Sequence, residues 1–501
     1  MRVLLVNPST GFFSRNPTNP LGLLSIATYL KENGHTVELN DRAVKIDNFK
    51  KHLESFKPDV VGVSVLSGRG ILDAVKISRI AKNNKIPVVW GGHMASEVPE
   101  QVLDTKLVDV AVIGEGEITF LELLDAIQEN KPYNNIDGIA FVENDKVVIT
   151  KYREFADLSM LPIIDWTFVD PSKYFQPFPH CKKMLYLYAA KGCPFSCTFC
   201  FNKLYNRCTY RFRPPEYFLS EIEYLINNYG MDGVYFADEL FCKTSSQMHE
   251  ICGMIKEKNL KFSWGCQTRI GIFNREDFQI MYDSGCRWIL FGIESGSKEV
   301  LKRINKKLAY DKVAETFTNC KEIGITTLGT FLINLPGETE EEIRETVQFA
   351  LSLDINIHRF NVFVPLPGSE LYASLTASGI YSAPKTLLDS AKIQIGEIVN
   401  QNFCEVPSRD LMVIRSYFDW LSFVRKDSVS KEKPFYIARK AIAMTIDNIT
   451  RNGILAFFTQ TFSAVQIFLS VVWYVTAYPK IRKKYGLFYN SKEHQAGKDL
   501  I

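Results

Sequence analysis

Lys191-Gly192-Cys193-Pro194-Phe195-Ser196-Cys197-Thr198-Phe199-Cys200 follows directly on the strand-like apolar run 184–189. The cysteines are spaced C-x3-C-x2-C. Three thiolates so close in sequence can wrap one face of an iron–sulfur cubane. No fourth cysteine follows at regular spacing, Cys208 being the nearest, so one iron stays open to an exchangeable ligand. A zinc site is the competing reading, but zinc usually takes four ligands, often as paired C-x2-C or His-containing sets, and no second pair is present. Unrelated core cysteines are the other alternative. That reading suits the scattered Cys252, Cys286 and Cys320, not three on one loop after a strand.

The surrounding pattern sets the fold. From 184 onward, strand-like runs at 184–189, 233–236, 261–266, 288–293, 326–333 and 359–364 alternate with helical periodicity at 215–229, 247–258, 275–284, 311–323 and 340–353. Six parallel strands with helices outside predict an open, partial barrel whose chemistry lies on the loops after the strands. Before it, apolar runs at 3–6, 60–65, 87–90 and 108–113 alternate with helical segments such as 21–32 and 71–83, which predicts a doubly wound parallel sheet. Residues 138–142 and 146–150 flank Glu143-Asn144-Asp145 as a small hairpin. The expected fold is therefore α/β: an N-terminal doubly wound, Rossmann-like sheet over 1–135, a connector over 136–180, a partial (β/α)6 barrel over 181–375 and a mostly helical region over 376–501.

Composition narrows the function. With 59 Lys+Arg against 56 Asp+Glu in 501 residues, nothing indicates nucleic-acid binding. Eleven cysteines without a signal-peptide pattern point to metal or redox chemistry in a reducing cytoplasm rather than a disulfide framework. The 35 Phe and 22 Tyr suit a large core or a greasy ligand equally.

The cysteine motif, with an aromatic before its last Cys, resembles the radical S-adenosylmethionine (SAM) superfamily. Segments spread over nearly 200 residues agree: Phe236-Ala237-Asp238-Glu239, Gln267-Thr268-Arg269, Gly292-Ile293-Glu294-Ser295-Gly296, Leu335-Pro336-Gly337-Glu338-Thr339 and Pro365-Leu366-Pro367-Gly368-Ser369 each follow one strand in order. Singly, each has a plain reading as a turn, a strand end or a surface arginine. The resemblance implies Cys193, Cys197 and Cys200 as 4Fe–4S ligands, and Asp238, Glu239, Arg269, Glu294 and Ser295 as SAM contacts. Asn334 stands where the family commonly has Gly.

Asn7-Pro8, Pro20-Leu21-Gly22, Trp90-Gly91-Gly92-His93 and Gly114-Glu115-Gly116-Glu117 fall at strand ends or helix starts of the N-terminal sheet, where glycines let backbone approach a large flat ligand. Joined to a radical SAM barrel, this unit is similar to the cobalamin-binding radical SAM group, which includes class B methyltransferases, magnesium-protoporphyrin cyclases, bacteriochlorophyllide methyltransferases and hopanoid methylases. The D-x-H-x-x-G signature is absent, since no Asp stands two residues before any of the seven His. The resemblance implies cobalamin near Gly91, Gly92, His93 and Glu115, with no cobalt ligand named from the protein. A loop histidine held by backbone is an equal reading of His93.

The group's chemistry implies an anaerobic enzyme. By that resemblance it is expected to cleave SAM reductively with an electron from a donor such as flavodoxin or ferredoxin, and to methylate an unactivated carbon of a hydrophobic substrate, a bacteriochlorophyll-type tetrapyrrole or a hopanoid. An oxidative cyclase of the magnesium-protoporphyrin monomethyl ester type is the alternative, and a non-enzymatic cobalamin or cluster sensor is a third. Residues 454–478 carry no charge and are flanked by Arg451, Lys480, Arg482, Lys483 and Lys484. They read as an interfacial or core helix, with peripheral membrane contact in the first case and a transmembrane span as the lesser reading.

Overall fold

A computed structural model describes residues 1–10, 17–66, 68–393, 396, 398–424, 473 and 476–487. These form two compact units. One holds Met1–Phe178, Lys182–Asp238 and Pro365–Ile393; the other holds Pro179–Cys181, Glu239–Val364 and the described residues of 394–501.

The first unit is built on a seven-stranded sheet of order β2-β1-β3-β4-β5-β6-β7. Its strands are β1 (Arg2–Asn7), β2 (Thr36–Asp41), β3 (Val60–Ser64), β4 (Val88–Gly91), β5 (Val110–Val112), β6 (Ile139–Glu143) and β7 (Lys146–Ile149). The first five are parallel, while β6 and β7 are the expected hairpin and extend the sheet antiparallel. The order reverses between β1 and β3, which opens a crevice at the carboxyl ends of the strands. Leu4, Val6, Val61, Val63 and Trp90 pack on one face, with Ile71, Ala74 and Ile77 of α3 (Gly70–Asn83). Val3, Leu5, Val60, Val89 and Val110 pack on the other, with α1 (Leu21–Glu32) and α6 (Glu117–Glu129). Burial on both faces explains why these strands read as unbroken apolar runs. Strand β2 is the exception. It lies at the sheet edge, alternates exposed and half-buried residues over Thr36–Leu39 before the buried Asn40, and so carries little apolar signal.

The same unit continues through β8 (Gln176–Phe178), β9 (Cys181–Leu187), the antiparallel pair β10 (Ala190–Gly192) and β11 (Tyr210–Phe212), α8 (Pro215–Tyr229) and β12 (Gly233–Phe236), which pairs parallel with β9. Gly230 takes φ +64 as the left-handed end of α8.

The second unit carries four parallel strands: β13 (Ser263–Thr268), β14 (Cys286–Glu294), β15 (Thr326–Ile333) and β16 (Ile357–Val362). Between them run α10 (Arg275–Asp283), α11 (Lys298–Arg303), α12 (Val313–Ile323) and α13 (Glu340–Ser352). Asn274 with Asp277, and Thr339 with Glu342, form reciprocal capping boxes on α10 and α13. Thus Thr339 of the Leu-Pro-Gly-Glu-Thr turn begins a helix. The six β/α strands expected of the barrel are all present, two in the first unit and four in the second, and the fold class is the one the pattern implied.

In the C-terminal region, α16 (Ser408–Val424) packs on β16, and a short helix at Pro479–Lys484 returns to α13. There Lys484 Nζ lies 2.5 Å from Glu340 Oε2, and Tyr485 and Leu487 are fully buried. The uncharged stretch 454–478 lies outside the described residues except for 473 and 476–478. Among the described residues no helix is long and apolar enough to cross a membrane.

Candidate active site

Cys193, Cys197 and Cys200 are half-buried cysteines, in no disulfide, on the loop between β10 and a one-turn helix at Asn202–Tyr205. The loop is shaped by its own chain. Cys200 N–H donates to Cys197 O at 3.1 Å, and the Asn202 side-chain amide donates to Cys193 O at 2.7 Å and Phe195 O at 3.0 Å. At the loop's entrance Gly192 has φ +83, and a Cβ there would lie 2.3 Å from Thr209 O, so no other residue fits. Asp238 Oδ1 accepts from the Ala189 and Ala190 N–H groups, holding the bend between β9 and β10. Among the described residues no three His, Cys, Asp or Glu side chains are gathered around one metal ion. A cubane gives each thiolate its own iron, so three thiols spread along one loop suit a cluster by donor chemistry. The Thr198 Oγ1 atom within the loop is buried with no hydrogen-bond partner among the described residues.

The strand ends of the doubly wound sheet lie in the same unit. Gly92 has φ +85, and a Cβ on it would stand 2.9 Å from Val65 O. Gly91 and Gly114 have nothing within 4 Å of a would-be Cβ, which leaves the open space a flat ligand needs above β4 and β5. His93 begins the helix after β4. Its ring stacks on Tyr205 at 4.5 Å between centroids, meets Phe201 edge-on at 4.8 Å, and turns Nδ1 to Glu97 at 3.5 Å. His93 therefore touches the residues that directly follow Cys200. Beside Tyr205 is a narrow cleft that Gly114, Ile118, Phe155, Leu204 and Arg207 also line.

Glu115, expected near the same ligand, also lines this cleft. Its carboxylate receives Arg211 through two hydrogen bonds of 2.5 and 3.0 Å and lies 3.2 Å from Lys191 Nζ. Lys191 also faces Glu117 at 3.4 Å, and Ser25 donates to the same Glu117 oxygen at 2.7 Å. Burial works against the charge on Lys191, but Glu117 and Glu115 outweigh it and hold the ammonium above the ordinary lysine value. Burial pushes Glu115 up, and Lys191 and Arg211 more than offset it.

In the second unit Glu294 ends β14 in the left-handed region at φ +71, beside a register shift between Gly292 and Glu294. Its Oε1 pairs with Lys306 Nζ at 2.8 Å, and both side chains are nearly buried. Gly292 makes room, since a Cβ there would lie 2.6 Å from that carboxylate oxygen. Arg269 donates to Lys307 O, so the loop carrying Lys306 and Lys307 engages both Arg269 and Glu294. Thr268 Oγ1, at the end of β13, is buried with no partner among the described residues, which suits a polar ligand there. Ser295 is fully buried, its Oγ 2.8 Å from Thr346 Oγ1 and accepting from Ser297 N–H. Gly296 sits where a Cβ would lie 2.6 Å from Phe349 Cβ, a close approach of loop to α13. Glu239 is half-buried, and its carbonyl faces Gln267 Nε2 at 3.5 Å. Asn334 takes the φ of +72 that a glycine would supply. Its side chain reaches a distant segment, accepting from Phe403 N–H at 2.9 Å and donating to Gln401 O at 2.8 Å. Lys191, Arg211, Lys306 and Asn202 escape the sequence reading. Lys191 borders the cysteine motif and lies opposite Arg211 in the hairpin, but nothing local marks Lys306.

Residues 187–350 match the family model of the radical SAM superfamily and residues 14–124 that of the B12-binding domain. A protein of Pyrococcus horikoshii described as an uncharacterized methyltransferase is 28% identical over 454 residues, covering 86% of this chain and 97% of that protein. The anaerobic magnesium-protoporphyrin IX monomethyl ester cyclase of Rubrivivax gelatinosus is 28% identical over 392 residues, 75% of this chain and 70% of its own. Among solved structures, the radical SAM methyltransferase TsrM from Kitasatospora setae, with tryptophan and a SAM analogue bound, shares the fold at a TM-score of 0.63 and 21% identity, over 76% of this chain and 77% of that one. The cysteine loop, the open strand ends beside it and both family matches lead to one conclusion: the chain is a radical SAM enzyme of the cobalamin-binding radical SAM superfamily, with a 4Fe–4S cluster, SAM and cobalamin as its cofactors.

Proposed function

We propose that the enzyme transfers a methyl group to an unactivated carbon of a hydrophobic substrate, a bacteriochlorophyll-type tetrapyrrole or a hopanoid, using an electron from a flavodoxin or ferredoxin. The observation that carries this reading is the contact of His93, from the B12-binding match, with Phe201 and Tyr205, directly after the last cysteine. His93 and the three cysteines fall in one compact unit, which supports this reading. When bound, the cluster supplies the electron that splits SAM, and cobalamin supplies the methyl group.

The chain's own residues bind and orient. Cys193, Cys197 and Cys200 would hold the cluster, three thiolates being the donor set that a SAM-cleaving cubane needs from the protein. Asp238 positions the start of that loop through two backbone amides. Arg269, Glu239, Glu294 and Ser295 would contact SAM, with the Arg269 guanidinium available to pair with a carboxylate. Gly91 and Gly92 would let backbone approach the corrin, and His93 would flank it. The similarity to a tetrapyrrole cyclase supports a large apolar substrate.

That same similarity favours one second reading, oxidative ring closure. The products separate the two, because methyl transfer releases S-adenosylhomocysteine as well as 5′-deoxyadenosine, whereas cyclisation releases only the latter. The experiment is anaerobic reconstitution with iron, sulfide and cobalamin, reduction with SAM present, and mass spectrometry of both nucleosides with tetrapyrrole and hopanoid extracts as substrates. Cys197→Ala makes no 5′-deoxyadenosine if the assignment holds. Turnover yielding 5′-deoxyadenosine without S-adenosylhomocysteine overturns methyl transfer.

A further inference from the structure

The charge network on the cysteine hairpin carries an inference that rests on the two-cofactor reading above and deepens it. Lys191 and Arg211 stand directly opposite each other across β10 and β11, the pair of strands flanking the cysteine loop. Both turn their cations onto Glu115, and Lys191 reaches Glu117 as well. These two glutamates lie in the turn that follows β5 and starts α6, inside the B12-binding match. Arg211 also donates to Ala156 O at 2.8 Å and lies 4.3 Å above the Phe155 ring, while Arg207 donates to Arg153 O and covers the same ring at 3.9 Å. The hairpin is thus fastened to the Gly114–Glu117 turn and to the chain that crosses over it. A second fastening lies nearby: the Asn19 side chain donates to Tyr186 O at 2.8 Å and accepts from Tyr186 N–H at 3.0 Å, pairing the loop before α1 with β9 as a strand would.

Half-buried and buried ions are expensive to desolvate, and apolar residues of the same volume would often pack as stably. What a forked Arg–carboxylate pair provides beyond stability is direction, because guanidinium and carboxylate planes fix both distance and angle. We propose that Glu115, Lys191 and Arg211 are positioning residues that lock the cluster-bearing hairpin to the cobalamin-facing turn, holding the two cofactors at one fixed separation. Glu115 serves through this clamp and not as a corrin contact.

The test compares wild type with Glu115→Gln and Arg211→Lys, the latter keeping charge while losing the fork. In the cofactor-free protein, hydrogen–deuterium exchange is followed in peptides spanning 189–193, 210–213 and 112–117. The expected result is exchange faster by about tenfold or more in all three together. Hydroxocobalamin affinity by equilibrium dialysis stays within about threefold, since the clamp does not touch the corrin. In loaded protein reduced with titanium(III) citrate, the paramagnetic resonance spectrum of cob(II)alamin broadened by the reduced cluster becomes heterogeneous in the variants.

The proposal is overturned if exchange and spin–spin broadening match wild type in both variants. It is also overturned if Glu115→Gln loses cobalamin affinity by more than about tenfold with exchange unchanged, because Glu115 is then a cofactor contact. Should Glu115→Gln not fold, Arg211→Lys alone decides between these results. Failure of wild type to bind hydroxocobalamin would instead sink the two-cofactor reading, and the exchange measurement in cofactor-free protein still judges the clamp.

Discussion

Replacing Lys306 by Met should loosen the end of β14 far more than loss of an ordinary surface ion pair. Lys306 and Glu294 are 8% and 11% exposed at their side chains and 2.8 Å apart. An exposed pair of this kind contributes about 0–1 kcal/mol. Removing one partner of a buried pair leaves the other charge without compensation and costs about 3–5 kcal/mol. Glu294 adds a second demand, since a non-glycine residue at φ +71 carries strain of about 1–3 kcal/mol that its surroundings must hold in place. Gly292 cannot give way by accepting a side chain, because that position is filled by the pair itself.

The assay is native-state hydrogen exchange of peptides spanning 286–294, read as local opening free energy, on Lys306→Met, Glu294→Gln and the double variant. Lys306→Met should lower it by about 3 kcal/mol or more. The double variant should recover part of that loss, with a coupling of at least about 1 kcal/mol. SAM affinity should fall in Lys306→Met and be partly kept in Lys306→Arg, which retains the cation. A loss under about 1 kcal/mol, or strict additivity of the two single changes, would refute the argument by showing that the pair behaves as a solvated one.

Two further substitutions probe other parts of the site. Gly92→Ala should abolish cobalamin retention during gel filtration and destabilise the first unit by about 1–3 kcal/mol, because its Cβ would press on Val65 O in a left-handed conformation; normal cobalamin retention would show that the turn yields. Glu338 is fully buried, and burial raises its carboxyl to about 8, with Leu335 N–H opposing and Glu342 reinforcing the rise. The folded state therefore keeps a proton that the unfolded chain loses near the ordinary glutamate value. That makes stability fall as pH rises from about 4.5 towards 8, at up to about 1.4 kcal/mol per unit, and flatten above. Denaturant unfolding of Glu338→Gln should lack this share of the slope and gain on wild type at alkaline pH; parallel profiles of variant and wild type would contradict it.

The β/α alternation, the cysteine spacing and the ordered segments after each strand were legible in the sequence because each is a property of near neighbours. Apolar runs report burial of a whole strand, and three cysteines within eight residues report one loop. Strand β2 escaped because an exposed edge has no such run. Thr339 was quoted for its place in a family segment, and the structure adds that it caps a helix.

Partnership across long separations was decided only by the tertiary structure. Glu115 meets Arg211 at a separation of 96 residues and Asn334 meets Phe403 at 69. Neither side chain carries any local mark of its partner. Lys306 lies only 12 residues from Glu294, yet it too is unmarked, since the strand's left-handed end and the turn after α11 bring them together. A charged side chain in sequence names only a chemistry. Whether it faces solvent, a cofactor or an opposite charge is settled when packing removes the water around it, and packing is a property of the whole chain.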